Sequence, residues 1–295
     1  MNVLIIGNIT KDIIILNNGK EISFGGSVYS TLTSSKLGCN TTVLCKGNSE
    51  LTPIIKKLGE HGVNIILQND SGLTTFINDY SSGKRQQSLL DRTDQIEYNL
   101  NKKFDVTHIN PLFGEITLET MKKAKEKTNL LSFDVQGMVR KLDDSNRKGI
   151  IGKFWNERSD FLPYIDLLKI GKDEISLISK KKNYREICEE FLDFGVKIVE
   201  LTFGEGGSII YGKKYHEIPA YKTKEVDPTG AGDVYGTSFA IKYFENKNEL
   251  NSALFASAAA SFVVEDFGFN NIQTKEMIDE RYRQLKKLMK NKDTN

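Results

Sequence analysis

The residues with the clearest chemical potential lie in one short stretch, "VDPTGAGDVYG", at positions 226–236. Gly230 and Gly232 carry no Cβ atom, so a large anion can approach the backbone around Ala231. The stretch lies where an extended segment gives way to a helical pattern, and the first turn of a helix offers unpaired N–H groups and a partial positive charge. The sequence therefore predicts an anion hole, with the carboxylate of Asp233 beside it.

The position of Asp233 indicates a reaction and not only a binding site. A carboxylate next to a bound phosphate would repel it, so a better role is to accept the proton of a hydroxyl that attacks the phosphorus. The stretch thus predicts phosphoryl transfer to an alcohol, a reaction accelerated mainly by positioning and electrostatics. The helix N-terminus is expected to hold the pKa of Asp233 down. Taken alone, the same residues also suit a plain turn that caps a helix.

Composition and charge exclude several other classes of protein. The 295 residues include 41 Lys and Arg against 39 Asp and Glu, and a net charge of +2 gives no argument for a nucleic acid or membrane partner. No apolar run approaches the roughly 20 residues that span a bilayer. The three cysteines lack zinc or disulfide spacing, and "MNVLIIGNITKD" lacks the features of a secretory signal. These observations predict a soluble cytoplasmic protein with reduced thiols.

The elements that must position these residues follow an α/β pattern. Short β-branched runs alternate with helical patterns, which is typical of a parallel sheet covered by helices on both faces. Two stretches, 74–92 and 208–221, instead predict β-hairpins. No repeat or linker divides the chain, so we expect a single domain over 1–295. A last helix after Thr274 is predicted to bury one face, formed by Ile278, Tyr282, Leu285 and Met289.

Three motifs resemble one family. "VDPTGAGDVYGTSFA" is similar to the C-terminal signature of the PfkB/ribokinase family of carbohydrate and nucleoside kinases, and "SFGGSVYSTLTSSKLG" resembles its N-terminal Gly-Gly signature. "VELTFGEGGSIIYG" resembles the family's segment before the adenine site, and the likeness covers nearly the whole chain. The resemblance implies a ribokinase-like three-layer α/β/α sandwich with a mostly parallel sheet. It also implies a small β lid, from about 10–24 and 73–92, over the acceptor site.

The resemblance also implies roles for individual residues, with ATP as donor and Mg²⁺ as its metal. Asp233 would be the catalytic base, and the anion hole would comprise Gly230, Ala231 and Gly232. The nucleotide site would be formed by Thr202, Gly204, Gly207, Lys169 and Glu174. The acceptor site would be formed by Asp12, Gly25, Gly26, Asn8, Gln136 and Arg140. The alternatives are a turn before a helix for the two glycines, an ordinary surface carboxylate for Asp12 and a solvated loop residue for Arg140.

Departures from the family pattern narrow the prediction. The family often has an Asn-x-x-Glu motif, but this chain has Gly171 in place of the asparagine and keeps the glutamate as Glu174. Glu174 is expected to reach Mg²⁺ only through water. An acidic residue at the start of a helix is an equally good explanation of Glu174. Ser30 replaces an asparagine that follows the Gly-Gly pair in many sugar kinases. "FDVQGMVRKL" and "TTFINDYSSGKRQQSLL" instead resemble the myo-inositol kinase branch. We therefore expect a polyol or sugar acceptor, with myo-inositol as the first candidate.

Two other functions are compatible with the sequence. A nucleoside kinase could use the same scaffold, with Phe76 and Tyr80 stacked on a base. A protein of another class, a ligand sensor without catalysis, could keep the fold for binding only, although such a sensor has no need of Asp233. Exposed lid strands can pair between subunits into a homodimer. The need for a monovalent cation stays open.

Overall fold

A computed structural model describes residues 1–82, 85–145 and 148–292. The strands are β1 (Asn2–Ile6), β2 (Ile9–Leu16), β3 (Gly19–Gly26), β4 (Asn40–Gly47), β5 (Asn64–Asn69), β6 (Thr75–Asp79), β7 (Gln86–Asp91), β8 (Phe104–Ile109), β9 (Thr128–Asp134), β10 (Arg140–Leu142), β11 (Ile150–Gly152), β12 (Leu167–Gly171), β13 (Ile198–Thr202), β14 (Ser208–Tyr211) and β15 (Tyr215–Ile218). The helices are α1 (Val28–Lys36), α2 (Thr52–Glu60), α3 (Leu118–Glu126), α4 (Arg158–Phe161), α5 (Tyr184–Asp193), α6 (Ala231–Asn246), α7 (Glu249–Val263) and α8 (Lys275–Lys292).

The main sheet has the order β15-β14-β13-β12-β9-β8-β1-β4-β5. Its strands from β13 to β5 pair in parallel, and β14 and β15 add an antiparallel hairpin at one edge. This edge hairpin confirms the prediction for 208–221. The mostly parallel sheet follows from the βα alternation of the sequence, since parallel neighbours need crossover connections.

Hydrophobic residues cover both faces of this sheet. In β1, Val3 and Ile5 belong to one core while Leu4 and Ile6 belong to the other, because successive side chains of a strand point to opposite faces. The first core also contains buried residues of α1, α2, α6, α7 and α8, and the second those of α3 and α5. The predicted three-layer α/β/α sandwich is therefore confirmed. In α8, Ile278 and Leu285 are buried as expected.

A second sheet of four strands has the order β3-β2-β6-β7. The pairs β2/β3 and β6/β7 are antiparallel, and β2 pairs with β6 in parallel. The β6/β7 pair confirms the hairpin predicted for 74–92, whose residues 83 and 84 lie outside the described chain. Phe76 and Leu89 of this sheet pack against Leu112 and Phe113, which follow β8 of the main sheet. The small sheet is thus fixed against one end of the main sheet.

Helices of the described residues are all too short or too polar to cross a bilayer. The three cysteines are free, and Cys45 and Cys188 are buried.

Candidate active site

The order in which strands are added to the main sheet reverses between the parallel strands β1 and β8. From β1 the chain adds β4 and β5 on one side, and the later strands, beginning with β8, lie on the other. Ligands of open α/β sheets bind at such a switch point, beyond the carboxyl ends of the strands. Asn110 follows β8 there, and its Nδ2 donates to Oδ1 of Asp233 at 3.3 Å. The fold therefore brings Asp233 to this position from a part of the chain 123 residues away.

The first turn of α6 carries the predicted anion hole. Gly230 is the N-cap residue with a φ of +82°, a conformation that costs other residues energy. A Cβ atom at Gly230 would also overlap the ring of Tyr29, and one at Gly232 would lie 3.0 Å from Nζ of Lys169. Packing thus explains both glycines. An anion hole at residues 230–232 stays a prediction, and it depends on the N–H groups that begin the helix.

The pKa of Asp233 differs from the expectation. It is raised from 3.8 to about 7: burial and then the nearby Asp134 carboxylate raise it, while Lys169, Asn110 and Arg140 act in the opposite direction. The predicted depression at the helix N-terminus is therefore wrong for the protein without ligands. Removal of water from the carboxylate outweighs the helix dipole. A carboxyl group with this pKa is a stronger base than an exposed aspartate.

A buried ion pair lies beneath the first turn of α6. Nζ of Lys169, in β12, donates to Oδ2 of Asp134, in β9, at 2.6 Å, and both side chains are almost fully buried. Burial lowers the pKa of Lys169, but Asp134, Glu174 and Asp233 together raise it above its ordinary value. The positive charge of Lys169 is thus kept next to the proposed path of a phosphoryl group.

Sequence reasoning missed Glu200 of β13. It is the register partner of Lys169, it is completely buried, and its two carboxylate oxygens have no partner among the described residues. Burial raises the pKa of Glu200 well above its ordinary value. We therefore describe it as a neutral carboxyl group. The sequence feature that could have revealed this buried carboxyl group is a charged residue inside the apolar run "KIVELT", where a buried strand was already predicted.

Glu174 lies in a short 3₁₀ segment, Lys172–Leu177, directly after β12. Its Oε2 accepts from the backbone N–H of Gly171 at 2.6 Å, and burial raises its pKa. Among the residues that the structure describes, no group of three or more acidic, histidine or cysteine side chains is arranged to hold a metal. An indirect role of Glu174 toward Mg²⁺, through water, stays a prediction.

Arg140 begins β10 and is half-buried. Its Nη1 lies 3.5 Å from the carbonyl oxygen of Leu112, and among the described side chains no carboxylate forms an ion pair with it. Burial lowers its pKa, although the group stays charged. Gln136 is nearby in sequence, and its backbone N–H donates to Oδ1 of Asp134 at 3.0 Å. Arg140 is therefore not the solvated loop arginine of the alternative reading.

Asp12 lies on β2 of the small sheet beside β3. The hydroxyl of Thr10 donates to Oδ1 of Asp12 at 3.0 Å. Burial raises the pKa of Asp12 from 3.8 to about 6, so it is not an ordinary surface carboxylate. A Cβ atom at Gly25 would overlap this carboxylate. Gly25 is thus required for the approach of Asp12, and contact with an acceptor stays a prediction.

Asn8 and Gly26 have structural contacts that the sequence did not suggest. The two amide protons of Asn8 reach the hydroxyl oxygens of Thr74 and Thr93, at 3.3 and 2.7 Å, and Oδ1 accepts from the backbone N–H of Lys46. Gly26 has a φ of +61° and lies against the backbone of Asn8. Because both donors of Asn8 are used inside the protein, we assign it to positioning the small sheet and not to direct contact with the acceptor.

The predicted nucleotide residues follow β13. Thr202 ends that strand beside Gly171, and its hydroxyl lies 3.4 Å from the carbonyl oxygen of Ile170. Gly204 and Gly207 form the turn into β14. The structure thus brings this turn next to the segment that holds Glu174. Nucleotide binding by Thr202, Gly204 and Gly207 stays a prediction.

Fold and site together are those of phosphotransferases that act on hydroxyl groups: an α/β/α sandwich whose switch point holds an aspartate in the first turn of a helix. The chain belongs to the pfkB family of carbohydrate kinases, and the family model matches residues 30–276. That match confirms the family resemblance seen in the motifs.

Individual relatives differ in their acceptors. The chain is 31% identical over 184 residues to a nucleoside kinase of Methanocaldococcus jannaschii, covering 61% of this chain and 56% of the relative. It is 28% identical over 193 residues to an inositol 3-kinase of Arabidopsis thaliana, covering 63% and 51%. The chain thus spans about half the length of these curated relatives.

A solved structure matches over nearly the whole chain. It is a pyrophosphate-dependent kinase of the ribokinase family, complexed with a pyrophosphate analog and myo-inositol. The TM-score is 0.81 at 26% identity, covering 94% of this chain and 99% of the other.

Proposed function

We propose that this protein transfers the γ-phosphoryl group of ATP to a hydroxyl of a small polyol or sugar, with myo-inositol as the first acceptor to test. The observation that carries the proposal is the buried Asp233 at the switch point, held by Asn110 and with a pKa of about 7. A base is most effective when its pKa lies near the working pH. The solved kinase with bound myo-inositol supports the choice of acceptor.

Asp233 acts as the base in this proposal. It accepts the acceptor's hydroxyl proton as that oxygen forms a bond to the γ-phosphorus and the bond to the leaving oxygen of ADP breaks. Asn110 donates to one carboxylate oxygen and so fixes the orientation of the group. The negative charge on the phosphoryl group is stabilised by the N–H groups of residues 230–232, with Lys169 beneath them and nearby Arg140, which forms no ion pair with a described carboxylate.

Mg²⁺ would neutralise charge on the donor phosphates. In the chain, Glu174 is the residue that would bind its water shell, since its carboxylate is fixed by the N–H of Gly171. Thr202, Gly204 and Gly207 are proposed to bind the nucleotide beside that segment. A small set of protein groups suffices, because Mg²⁺ retains water and phosphate ligands in most kinases.

The small sheet is proposed to act as a lid over the acceptor. Asp12 lies on it and is proposed to accept hydrogen bonds from acceptor hydroxyls, with the backbone at Gly25 and Gly26 and the side chain of Gln136 completing the site. Exclusion of water by such a lid limits transfer of the phosphoryl group to water. We also propose that exposed strands of this sheet pair in a homodimer and that the protein is cytoplasmic.

A nucleoside is the second candidate acceptor. It is favoured by the similarity to the nucleoside kinase of M. jannaschii. The predicted stacking of Phe76 on a base has less support, since Phe76 is only 3% exposed and packs against Leu112 and Phe113. Pyrophosphate is the second candidate donor, because the solved relative with myo-inositol is pyrophosphate-dependent.

The test is product formation by the purified protein with Mg²⁺ and either ATP or pyrophosphate. Inositols, hexoses, pentoses and nucleosides serve as acceptors, and Asp233→Asn serves as the blank. We expect acceptor-dependent turnover with polyols, absent in the blank. If only nucleosides are phosphorylated, the proposed polyol acceptor is wrong and the protein is a nucleoside kinase. If the protein binds a ligand but forms no product, and Asp233→Asn binds that ligand equally well, the kinase proposal is wrong and the protein is a ligand sensor.

A further inference from the structure

The loop that follows β8, residues 110–115, contacts three parts of the candidate site. At its start, Nδ2 of Asn110 donates to Asp233. Further on, the carbonyl oxygen of Leu112 lies 3.5 Å from Nη1 of Arg140, and the side chain of Leu112 packs against the small sheet. The position of this loop therefore affects the base, the nearby arginine and the small sheet at the same time.

A buried carboxylate holds this loop. Glu115 accepts from the backbone N–H of Leu112 at Oε1 and from that of Phe113 at Oε2, both at 2.8 Å. The residue is only 4% exposed. Burial raises the pKa of Glu115, and hydrogen bonds from backbone N–H groups, including that of Asn8 after β1, act in the opposite direction. Backbone N–H groups thus compensate the charge of this carboxylate.

Glu115 also supplies the hydrogen bonds that the backbone of this loop needs. Pro111 has no N–H group, and the N–H groups of the buried residues Leu112 and Phe113 are paired with the carboxylate. A buried N–H group that loses its partner destabilises the conformation that buries it. Gly114, between these amides and Glu115, has a φ of +80°, which other residues adopt at a cost in energy. The loop conformation therefore depends on the carboxylate and on the turn at Gly114.

We propose that Glu115 is a positioning residue for phosphoryl transfer, which fixes the loop so that Asn110 contacts Asp233 and Leu112 contacts Arg140. This inference rests on the proposed function. The contact between Asn110 and Asp233, at 3.3 Å, is longer than the usual value of about 2.9 Å, so a further shift of about 0.3 Å would remove it. Small movements of the loop therefore change the orientation of the base and its affinity for a proton.

The test is Glu115→Gln, which keeps the shape and one oxygen but turns an amino group toward one of the two backbone N–H groups. We expect kcat/KM for the acceptor at pH 7 to fall about tenfold, the scale for weakening a hydrogen bond to a charged group, with KM for the donor unchanged. Because Asn110 lowers the pKa of Asp233, the acidic limb of the kcat/KM profile should also move to higher pH, by up to about one unit.

A ¹³C NMR titration of the Asp233 carboxyl carbon measures the same pKa without turnover, and the direction of the change separates two explanations. Loss of the contact with Asn110 raises the pKa of Asp233, whereas removal of a negative charge at position 115 by itself lowers it. A displaced Arg140 acts in the same direction as a displaced Asn110, since both lower the pKa of Asp233 in the wild type. The other charged groups that act on this carboxyl, Asp134 and Lys169, are the same in both proteins.

A double variant tests the route of the effect. If Glu115 acts through Asn110, then Asn110→Ala removes the same contact, and adding Glu115→Gln to it should change the pKa of Asp233 by less than Glu115→Gln does alone. Asp166→Asn is the control. Asp166 is also a buried carboxylate that accepts from a backbone N–H, that of Leu131 at 2.7 Å, but it lies directly before β12, at the other end of that strand. This control should lower stability and leave kcat and the pKa of Asp233 unchanged.

A second variant keeps the test valid if Glu115→Gln does not fold. Gly114→Ala strains the turn directly before Glu115, and Gly62→Ala is its matched control, because the two glycines have φ values of +80° and +73° and open space for an added Cβ atom. We expect a similar loss of stability in both variants. Only Gly114→Ala should raise the pKa of Asp233 and lower kcat, by about threefold, the scale of a partly lost hydrogen bond.

Three results overturn the proposal: an unchanged pKa of Asp233 in folded Glu115→Gln, or in Gly114→Ala where the first does not fold; a lowered pKa; and fully additive effects with Asn110→Ala. A raised pKa together with a reduced kcat supports it. If the wild-type protein forms no product with any acceptor, the proposed function is wrong, and the NMR titration still measures whether Glu115 fixes the contact between Asn110 and Asp233. Failure of the function is therefore distinguishable from failure of the role of Glu115.

Discussion

Asp233→Asn is expected to inactivate the protein and also to stabilise it. The substitution removes the base but keeps an oxygen that can accept from Asn110. We expect kcat to fall on the order of a hundredfold or more, the scale for loss of a positioned acid-base group. The variant should be more stable than the wild type above about pH 4, because Asp233 ionises more readily in the unfolded chain than in the folded protein, where water is excluded.

The size of the stability effect follows from the two pKa values. The folded pKa is about 7 and the ordinary value is 3.8, so roughly three units at 1.36 kcal/mol each give a limit of about 4 kcal/mol. A raised carboxyl pKa favours the folded state fully below about pH 3.8, and this contribution is lost as pH rises to about 7. Asp233→Asn is therefore expected to gain about 2 kcal/mol at pH 5 and about 4 kcal/mol at pH 8.

Urea unfolding of both proteins at pH 5 and pH 8 measures this difference, and titration of all other groups cancels in the comparison. Asp173→Asn, at an exposed carboxylate, is the control and should show no such pH dependence. An equal effect of Asp233→Asn at both pH values would refute the assigned burial. Near-normal turnover would refute the role as base.

Three further substitutions test the surrounding structure. Lys169→Met leaves Asp134 buried without its partner, so we expect the free energy of unfolding to fall by about 3–5 kcal/mol. Adding Asp134→Asn should restore part of this loss. Because the charge of Lys169 lowers the pKa of Asp233, Lys169→Met should also move the acidic limb of the kcat/KM profile to higher pH. Gly230→Ala should destabilise the protein by at least about 2 kcal/mol more than Gly62→Ala, which has a similar φ of +73° but open space; equal urea midpoints would contradict this. Asp12→Asn should raise the acceptor KM about tenfold and leave the donor KM unchanged, and the reverse pattern would place Asp12 at the donor site.

Local sequence patterns were sufficient for the architecture. The alternation of β-branched runs with helical patterns predicted the parallel sheet and its two helical layers, because the periods of strand and helix are set within a few residues. The departures from that alternation predicted both hairpins. The stretch around Gly230 also predicted the helix start that carries Asp233, since a glycine there satisfies a purely local backbone requirement.

Only the tertiary structure decided the electrostatics and the partners of the site. The pKa of Asp233 rises because α6 packs onto the strands that carry Asp134 and Lys169, and no local pattern shows how completely that packing removes water. Asn110 and Glu200 gained their importance in the same way, from the positions that the sheet order gives them. Local sequence thus determined which chemistry was available, whereas burial and long-range contacts decided the charge of the base and which side chains surround it.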